Sequence, residues 1–107
     1  MEEIILLPEV IFKLHNLVKV HYHEEYFGFM DTAFNYADKI YDFIYTIPKQ
    51  QYKITSNKKL GTYYCSFKAN RNTTWYITFD KEKERYIIQD ITNNQSADYA
   101  YFIANIK

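Results

Sequence analysis

The stretch Thr62–Phe79, TYYCSFKANRNTTWYITF, decides the fold, because its large apolar side chains recur at every second residue. This is the period at which the side chains of a β-strand return to one face of a sheet. The face predicted to be buried carries Tyr63, Cys65, Phe67, Ala69, Trp75, Ile77 and Phe79. The polar residues Asn70–Thr73 divide the stretch and predict a hairpin turn. The sequence therefore predicts two antiparallel strands, each with one apolar face and one polar face.

The chain after this hairpin predicts a third strand and a short helix. A charged turn, Asp80–Glu84, leads into Arg85–Thr92, which completes a three-stranded antiparallel meander. Ser96 and Asp98 are candidate caps for a short C-terminal helix, Tyr99–Ile106.

Two helices are predicted before the meander, and a short strand precedes them. Pro8 suits the first position of a helix, which reaches about Tyr26. Its apolar stripe is Ile11, Leu14, Val18 and Tyr22. The second helix ends before Pro48. Its stripe is Met30, Ala33, Phe34, Ala37, Ile40, Tyr41 and Ile44. The stretch Lys49–Gly61 has no regular period and predicts a loop, with at most a short turn of helix.

Together these elements predict an α+β domain. An N-terminal strand and a two-helix hairpin pack on an antiparallel sheet, which contains the C-terminal meander and is followed by the short final helix. One helical layer covers one face of this sheet. The other face, which carries the polar side chains, is then open for binding.

Length and composition limit the class of protein. The 107 residues fit one domain, 1–107, with a single core. The single cysteine, Cys65, and the lack of a charged and then apolar leader indicate a reducing compartment. The apolar run Ile4–Leu7 is too short to span a membrane. We therefore expect a cytoplasmic protein with no membrane part.

The formal net charge is zero, but the charges are unevenly distributed along the chain. Residues 1–42 hold eight acids and three lysines, whereas residues 43–79 hold no acid. The cations of this middle segment are Lys49, Lys53, Lys58, Lys59, Lys68 and Arg71. Cations mixed with tyrosines suit phosphate neutralisation and base stacking. A solubilising loop has the same composition, so composition alone leaves both interpretations open.

Other candidate sites are weaker. His21 and Glu25 are four residues apart on the first helix, but no third metal ligand is near, so a solvated helix end is favoured. No metal or cofactor is predicted. Cys65 and Trp75 belong to the apolar face and are predicted to be core residues.

Arg85 begins the third strand and is also predicted to be structural. It is expected to pair with Glu82 or Glu84 across the turn that precedes it.

The candidate catalytic residues meet at one edge of the predicted meander. Its first and third strands run in the same direction, so Lys68 and Arg71 reach the edge where Asn93–Gln95 end the third strand. Cleavage of RNA by its own 2′-hydroxyl needs a base, an acid and a positive group that stabilises the phosphorane. Lys68 and Arg71 supply positive charge at this edge. The amides of Asn93 and Asn94 are suited to orienting oxygens.

This layout resembles the RelE/ParE superfamily of bacterial toxins, the toxic components of type II toxin–antitoxin modules. The resemblance covers nearly the whole chain in element order, and its most specific parts are Gly61–Lys68, Thr74–Phe79 and Tyr86–Asn94. Members similar to RelE cleave messenger RNA, often on the ribosome, and are neutralised by a cognate antitoxin wrapped around them. The resemblance thus implies a metal-independent endoribonuclease, an mRNA interferase, with messenger RNA, the ribosome and an antitoxin as partners.

The basic segment, the polar face of the sheet, the predicted edge and the resemblance together predict two groups of site residues. The catalytic group is Lys68, Arg71, Asn94, Gln95 and Tyr99. The RNA-binding group is Lys53, Lys58, Lys59, Tyr64, Tyr76 and Asn93.

One position departs from the pattern of the family. Gln95 stands where the similar subgroup has a histidine, and an amide does not ionise near neutral pH. Either Tyr99 and Lys68 carry the proton transfers, or the chain is a weakened variant. The alternative function is a ParE-like toxin, which keeps the fold and poisons gyrase without the basic site, or a small protein-binding domain.

Overall fold

The structure, a computed structural model, describes residues 2–26 and 30–107, and the side chains of residues 2–19 and 36–107. Its elements are β1 (Glu3–Leu6), α1 (Pro8–Tyr26), α2 (Met30–Tyr45), a 3-10 turn (Ile47–Lys49), β2 (Lys53–Ile54), β3 (Tyr63–Asn70), β4 (Thr73–Glu82), β5 (Arg85–Asn93) and α3 (Tyr99–Ile106). The predicted α+β class and the predicted order of strand, two helices, meander and final helix are confirmed. Within the described residues, no helix is long and apolar enough to cross a membrane.

The strands form one five-stranded mixed sheet in the order β1-β5-β4-β3-β2. β1 pairs with β5 in parallel, and the other neighbours are antiparallel. The prediction of a wholly antiparallel sheet was therefore wrong, and so was the number of strands. β2 lies in the segment predicted to be a loop, because two residues are too few to show an alternating pattern.

The two hairpin turns of the meander are shorter than predicted. Arg71 and Asn72 connect β3 to β4, and the Asn72 backbone N–H donates to Asn70 Oδ1 at 2.9 Å. β4 continues to Glu82, so only Lys83 and Glu84 form the second turn. Lys81 and Glu82, at this end of β4, are exposed and charged. They form part of the strand, but the sequence lacks the apolar alternation by which a strand is predicted.

The main core lies between the helical pair and one face of the sheet. The helices contribute Val10, Leu14, Val18, Tyr36, Ala37, Ile40 and Ile44. The sheet contributes Cys65, Trp75, Ile77, Phe79, Tyr86, Ile88 and Ile91.

Three side chains show how well the sequence predicted this core. Trp75 is fully buried and donates from Nε1 to the Tyr36 hydroxyl at 2.9 Å, which confirms the core prediction. Burial confirms Cys65 as well and raises the pKa of its thiol to about 12. Ile11 is instead 37% exposed, and Val10 takes its place in the buried stripe of α1. The predicted stripe residues Tyr22, Met30, Ala33 and Phe34 lie outside the described side chains, as do His21 and Glu25.

The short helix α3 lies on the second face of the sheet, opposite α1 and α2. Tyr76 alternates with the core residues Trp75 and Ile77 along β4, so its side chain points to the second face. The Tyr99 ring of α3 contacts the Tyr76 ring there, with centroids 5.7 Å apart. The prediction of a single helical layer and an open second face was therefore wrong, because α3 covers part of that face. Its apolar residues Phe102 and Ile106 are buried there.

Candidate nucleic-acid interface

The structure brings the end of β5 to the hairpin turn between β3 and β4. Asn94 Nδ2 and Gln95 Nε2 both donate to the Asn72 backbone carbonyl, at 3.0 and 3.2 Å. Arg71 is exposed beside Asn72, and Lys68 is exposed near the end of β3. Among the described residues, neither cation forms an ion pair. The geometric expectation that these two groups share one edge of the sheet is met.

The Asn94 side chain extends the pairing of β4 with β5 beyond the last residue of the strand. Asn94 Oδ1 accepts from the Thr74 backbone N–H at 3.0 Å, and the Asn94 backbone N–H donates to the Thr74 carbonyl at 3.1 Å. With the bond to Asn72, both polar atoms of the carboxamide are held by backbone groups. Asn94 therefore fastens the hairpin, and its amide is not directed at a substrate.

Gln95 is attached to the same hairpin. Its Nε2 donates to Thr73 Oγ1 at 3.1 Å as well as to the Asn72 carbonyl. Since the amide nitrogen donates in both bonds, the side chain holds the turn, and a carboxamide neither gains nor loses a proton near neutral pH. Gln95 is exposed, so the position itself remains open to solvent.

Asn93, predicted to contact RNA, is only 3% exposed. It lies opposite Trp75 in the β4–β5 pair, on the core face, and its Oδ1 accepts from the Gln95 backbone N–H at 2.9 Å. That prediction is corrected, because the burial leaves no surface for a nucleotide. The alternation that places Ile91 in the core also places Asn93 there, and this signal was present in the sequence.

The second face carries a row of three tyrosines, Tyr64, Tyr76 and Tyr99, which we call the tyrosine strip. Tyr64 and Tyr76 come from neighbouring strands, and Tyr99 comes from the first turn of α3. All three are partly exposed. Burial, the hydrogen bond with Tyr99 and the proximity of Tyr64 raise the pKa of Tyr76, so this phenol is protonated throughout the neutral range. The strip therefore offers ring faces and hydroxyl groups to a ligand.

Cations surround the tyrosine strip. Lys68 follows Tyr64 at alternate residues on β3, so both side chains point to the second face. Lys53 is paired with Tyr64 across the β2–β3 ladder. Lys107 places its ammonium 5.7 Å from the centre of the Tyr76 ring. Sequence reasoning missed Lys107, because only the packing of α3 on the second face brings it to Tyr76.

Two acidic residues beside the second face, Asp90 and Asp98, are bound by Lys13 of α1. Lys13 Nζ lies 2.9 Å from Asp90 Oδ1 and 2.5 Å from Asp98 Oδ2. Asp98 also accepts from Thr92 Oγ1 and Ser96 Oγ, at 2.5 and 2.6 Å. Asp98 stands at the N-cap position of α3, but its side chain makes no capping bond, since its oxygens serve this cluster. Lys13 thus offsets one of the two negative charges of this pair.

The predicted RNA-binding lysines do not all lie together. Lys58 and Lys59 lie in the loop after β2, and this loop is fastened to the end of α3 by the bonds from Ser56 N–H and Asn57 N–H to the carbonyls of residues 106 and 105. At about 3.3 Å per residue, β3 separates this end of the sheet from Lys68 by roughly 20 Å. The basic segment is therefore divided between two ends of the second face.

Arg85, at the start of β5, lies away from the tyrosine strip. Its Nε lies 3.4 Å from Glu3 Oε1 across the parallel β1–β5 pair. The sequence prediction named Glu82 and Glu84 as partners and missed Glu3, because the pairing of the first and last strands has no local signal. The structural role predicted for Arg85 agrees with this contact.

Comparisons with protein-family models, with curated proteins and with solved structures find no match to this chain.

Proposed function

We propose that this chain is a RelE-like toxin that binds messenger RNA along the tyrosine strip and cleaves it slowly, without a metal ion. The observation that supports the proposal is the grouping of three partly exposed tyrosine rings with Lys53, Lys68 and Lys107 on one face. Aromatic rings provide stacking surfaces for unpaired bases, and the ammonium groups neutralise phosphates. The order of helices and strands agrees with the fold that the resemblance implies.

The cleavage step places the scissile phosphate at the hairpin edge. The 2′-oxygen of the preceding ribose forms a bond to phosphorus, the bond from phosphorus to the 5′-oxygen breaks, and a cyclic phosphate and a 5′-hydroxyl result. Lys68 and Arg71 stabilise the negative charge of the phosphorane. Tyr99, at the end of the strip nearest β5, protonates the leaving oxygen.

Among the described side chains, no good general base stands at this edge. Gln95 cannot accept the 2′-hydroxyl proton, and Asn94 is held by backbone groups. The absence of general base catalysis typically costs about 10² to 10⁴ in rate. We therefore propose a weakened enzyme in which the 2′-hydroxyl proton passes to a solvent water. The proposed setting is the bacterial cytoplasm, where an antitoxin restrains the protein.

The proposal is tested by cleavage of a fluorescently labelled messenger RNA, with and without ribosomes, in the presence of a chelator. Lys68→Ala and Arg71→Ala should each reduce cleavage at least 10-fold, as expected for the loss of a charge-stabilising group. Lys39→Ala, an exposed lysine on α2, is the control and should leave the rate unchanged. RNA carrying 2′-deoxyribose at the cleavage site should resist cleavage completely.

A second substitution tests the assignment of residue 95. Gln95→His supplies an imidazole at an exposed position and should raise both RNA cleavage and growth inhibition. If neither rises, residue 95 does not face the reacting phosphate.

The second candidate is a ParE-like toxin or a small protein-binding domain without catalysis. It is favoured by one observation: Asn94 and Gln95 use their amides to hold the hairpin turn. Growth inhibition that survives both Lys68→Ala and Arg71→Ala would support a protein-binding toxin. Expression without growth inhibition in bacteria that lack an antitoxin would support a non-toxic binding domain.

A further inference from the structure

β2 is an edge strand, and no strand in the described part of the chain pairs with its outer side. The Thr55 backbone N–H donates inward to the Thr62 carbonyl at 2.9 Å. Because successive residues of a strand direct their backbone groups to opposite sides, the N–H and C=O of Ile54 point away from β3. The Ile54 side chain is 68% exposed. The outer side of Lys53–Ile54, the β2 edge, therefore presents both backbone groups and an apolar side chain.

The charged residues that flank this edge along the chain have one sign. Lys49, Lys53, Lys58 and Lys59 flank Ile54 along the chain and are all exposed. No acid occurs between Asp42 and Asp80. Lysine on an edge strand discourages pairing with a second copy of the same chain, since like charges meet. The same lysines attract a strand that carries carboxylates.

We propose that the β2 edge binds an extended acidic peptide segment of a partner protein, which adds to the sheet as a sixth strand. The partner's backbone bonds to Ile54, one of its apolar side chains packs on Ile54, and its carboxylates face the four lysines. This is the strand-addition mode of peptide recognition. It assigns Lys58 and Lys59 to a protein partner, and it does not depend on RNA cleavage.

The probe is a synthetic peptide of eight residues in which Glu and Val alternate, labelled with fluorescein, and binding is followed by fluorescence anisotropy. We expect saturable binding that weakens several-fold when the salt concentration rises from 50 to 300 mM, since the attraction is screened at about 6 Å in the stronger salt. A peptide with Lys in place of Glu should not bind. Equal binding of both peptides would overturn the proposal, because charge would then have no role.

Backbone pairing is tested by changing the backbone of the protein at residue 54 and the backbone of the peptide. Ile54→Pro removes an N–H that points outward, so no hydrogen bond to β3 is lost. Edge strands tolerate proline at such a position. It should weaken binding about 10-fold, the upper range for one hydrogen bond, whereas Ile54→Thr keeps the N–H and should cost less. If Ile54→Pro destabilises the fold, the wild-type protein is tested with a peptide N-methylated at alternate residues, which should lose binding to the same extent. The methyl groups are placed on the odd residues of one peptide and on the even residues of a second. If neither peptide binds more weakly than the unmethylated one, strand addition is excluded.

The place where the peptide binds is tested by changes in the amide chemical shifts of the wild-type protein. The Glu-Val peptide should shift the amides of Lys53–Thr55 and leave those of Thr74–Tyr76 unchanged. An oligouridylate of ten nucleotides should shift the amides of Lys53 and Thr74–Tyr76 if the proposed function is correct, because Lys53 belongs to both sites, and should leave that of Thr55 unchanged. Oligouridylate that shifts Thr55 and displaces the peptide would assign this edge to nucleic acid and overturn the present proposal. Failure of oligouridylate to bind anywhere would count against the proposed function alone.

Discussion

Lys13, Asp90 and Asp98 form a cluster that joins α1 and α3 on opposite faces of the sheet. We predict that loss of Lys13 lowers the free energy of unfolding. The substitution Lys13→Met removes the ammonium and keeps an unbranched apolar side chain, which can still pack near the Phe102 ring. It leaves two half-buried carboxylates without their cation. We expect this loss to weaken the attachment of α3 as well as the stability of the whole domain.

The magnitude follows from the exposure of the three side chains. A hydrogen bond to a charged group contributes about 1.5 to 3 kcal/mol, and removal of one partner of a fully buried ion pair costs about 3 to 5 kcal/mol. Here the side chains of Lys13 and Asp90 are 28% and 26% exposed, and that of Asp98 is 37% exposed. Solvent screening reduces the effect at such sites. We therefore expect a loss of about 2 kcal/mol, or roughly 8 °C in Tm for a domain of this size.

The assay is urea denaturation followed by tryptophan fluorescence, with Lys19→Met as the matched control. Lys19 is an exposed residue of the same helix, so its replacement should change the free energy of unfolding by less than about 0.5 kcal/mol. Asp98→Asn should cost less in the Lys13→Met background than in the wild type, with a coupling of about 1 to 2 kcal/mol. Equal effects of the two lysine substitutions, or a coupling of zero, would refute the reasoning.

The stabilisation by this cluster depends on pH in a defined direction. Burial opposes both charges, but the hydrogen bonds outweigh it, so the pKa of Lys13 is raised and that of Asp98 is lowered. The raised pKa contributes stability that is complete below about pH 10 and is lost as the pH rises through the folded pKa of Lys13. The lowered pKa contributes stability that is complete above about pH 5 and is lost as the pH falls toward and below about 4. The difference in stability between wild type and Lys13→Met should therefore be largest from about pH 5 to 10 and should shrink in acid.

Two further predictions concern the sheet. Gly61→Ala should lower the free energy of unfolding by about 2 kcal/mol in urea denaturation. Gly61 has φ +147°, and a new Cβ would lie 3.0 Å from Thr78 Cβ and 3.1 Å from the Phe79 nitrogen. A loss below about 0.5 kcal/mol would contradict this prediction. Cys65 should resist thiol reagents in the native protein at pH 8, since its pKa is about 12, and should react fully in denaturant. Rapid labelling of the native protein would show that the thiol is accessible.

Local signals predicted the helices and the meander well. Pro8 and the apolar period placed α1 at Pro8–Tyr26, and the final helix was predicted with its observed bounds, Tyr99–Ile106. The rule that alternate strands of a meander run in the same direction placed Asn94 beside the β3–β4 turn. These predictions succeeded because each depends on residues that are close in sequence.

Features that depend on residues far apart were not predictable in this way. The apolar spacing of Phe102 and Ile106 predicts a helix, but it does not indicate which face of the sheet that helix covers. The bond of Lys13 to Asp98 joins positions 85 residues apart and has no pattern in the sequence. Asn93 is the instructive error, because its amide resembles those of its neighbours although the strand's alternation buries it.

The pairing of β1 with β5 has a consequence for synthesis on the ribosome. β5 lies between β1 and β4, so β1 acquires its partner only after Arg85–Asn93 has been made. Until then the nascent protein has an incomplete sheet, and the apolar sides of its helices lack much of the surface that later covers them. Closure of so large a loop is entropically costly and slows folding. Until β5 has emerged, the nascent chain is therefore exposed to chaperones and proteases.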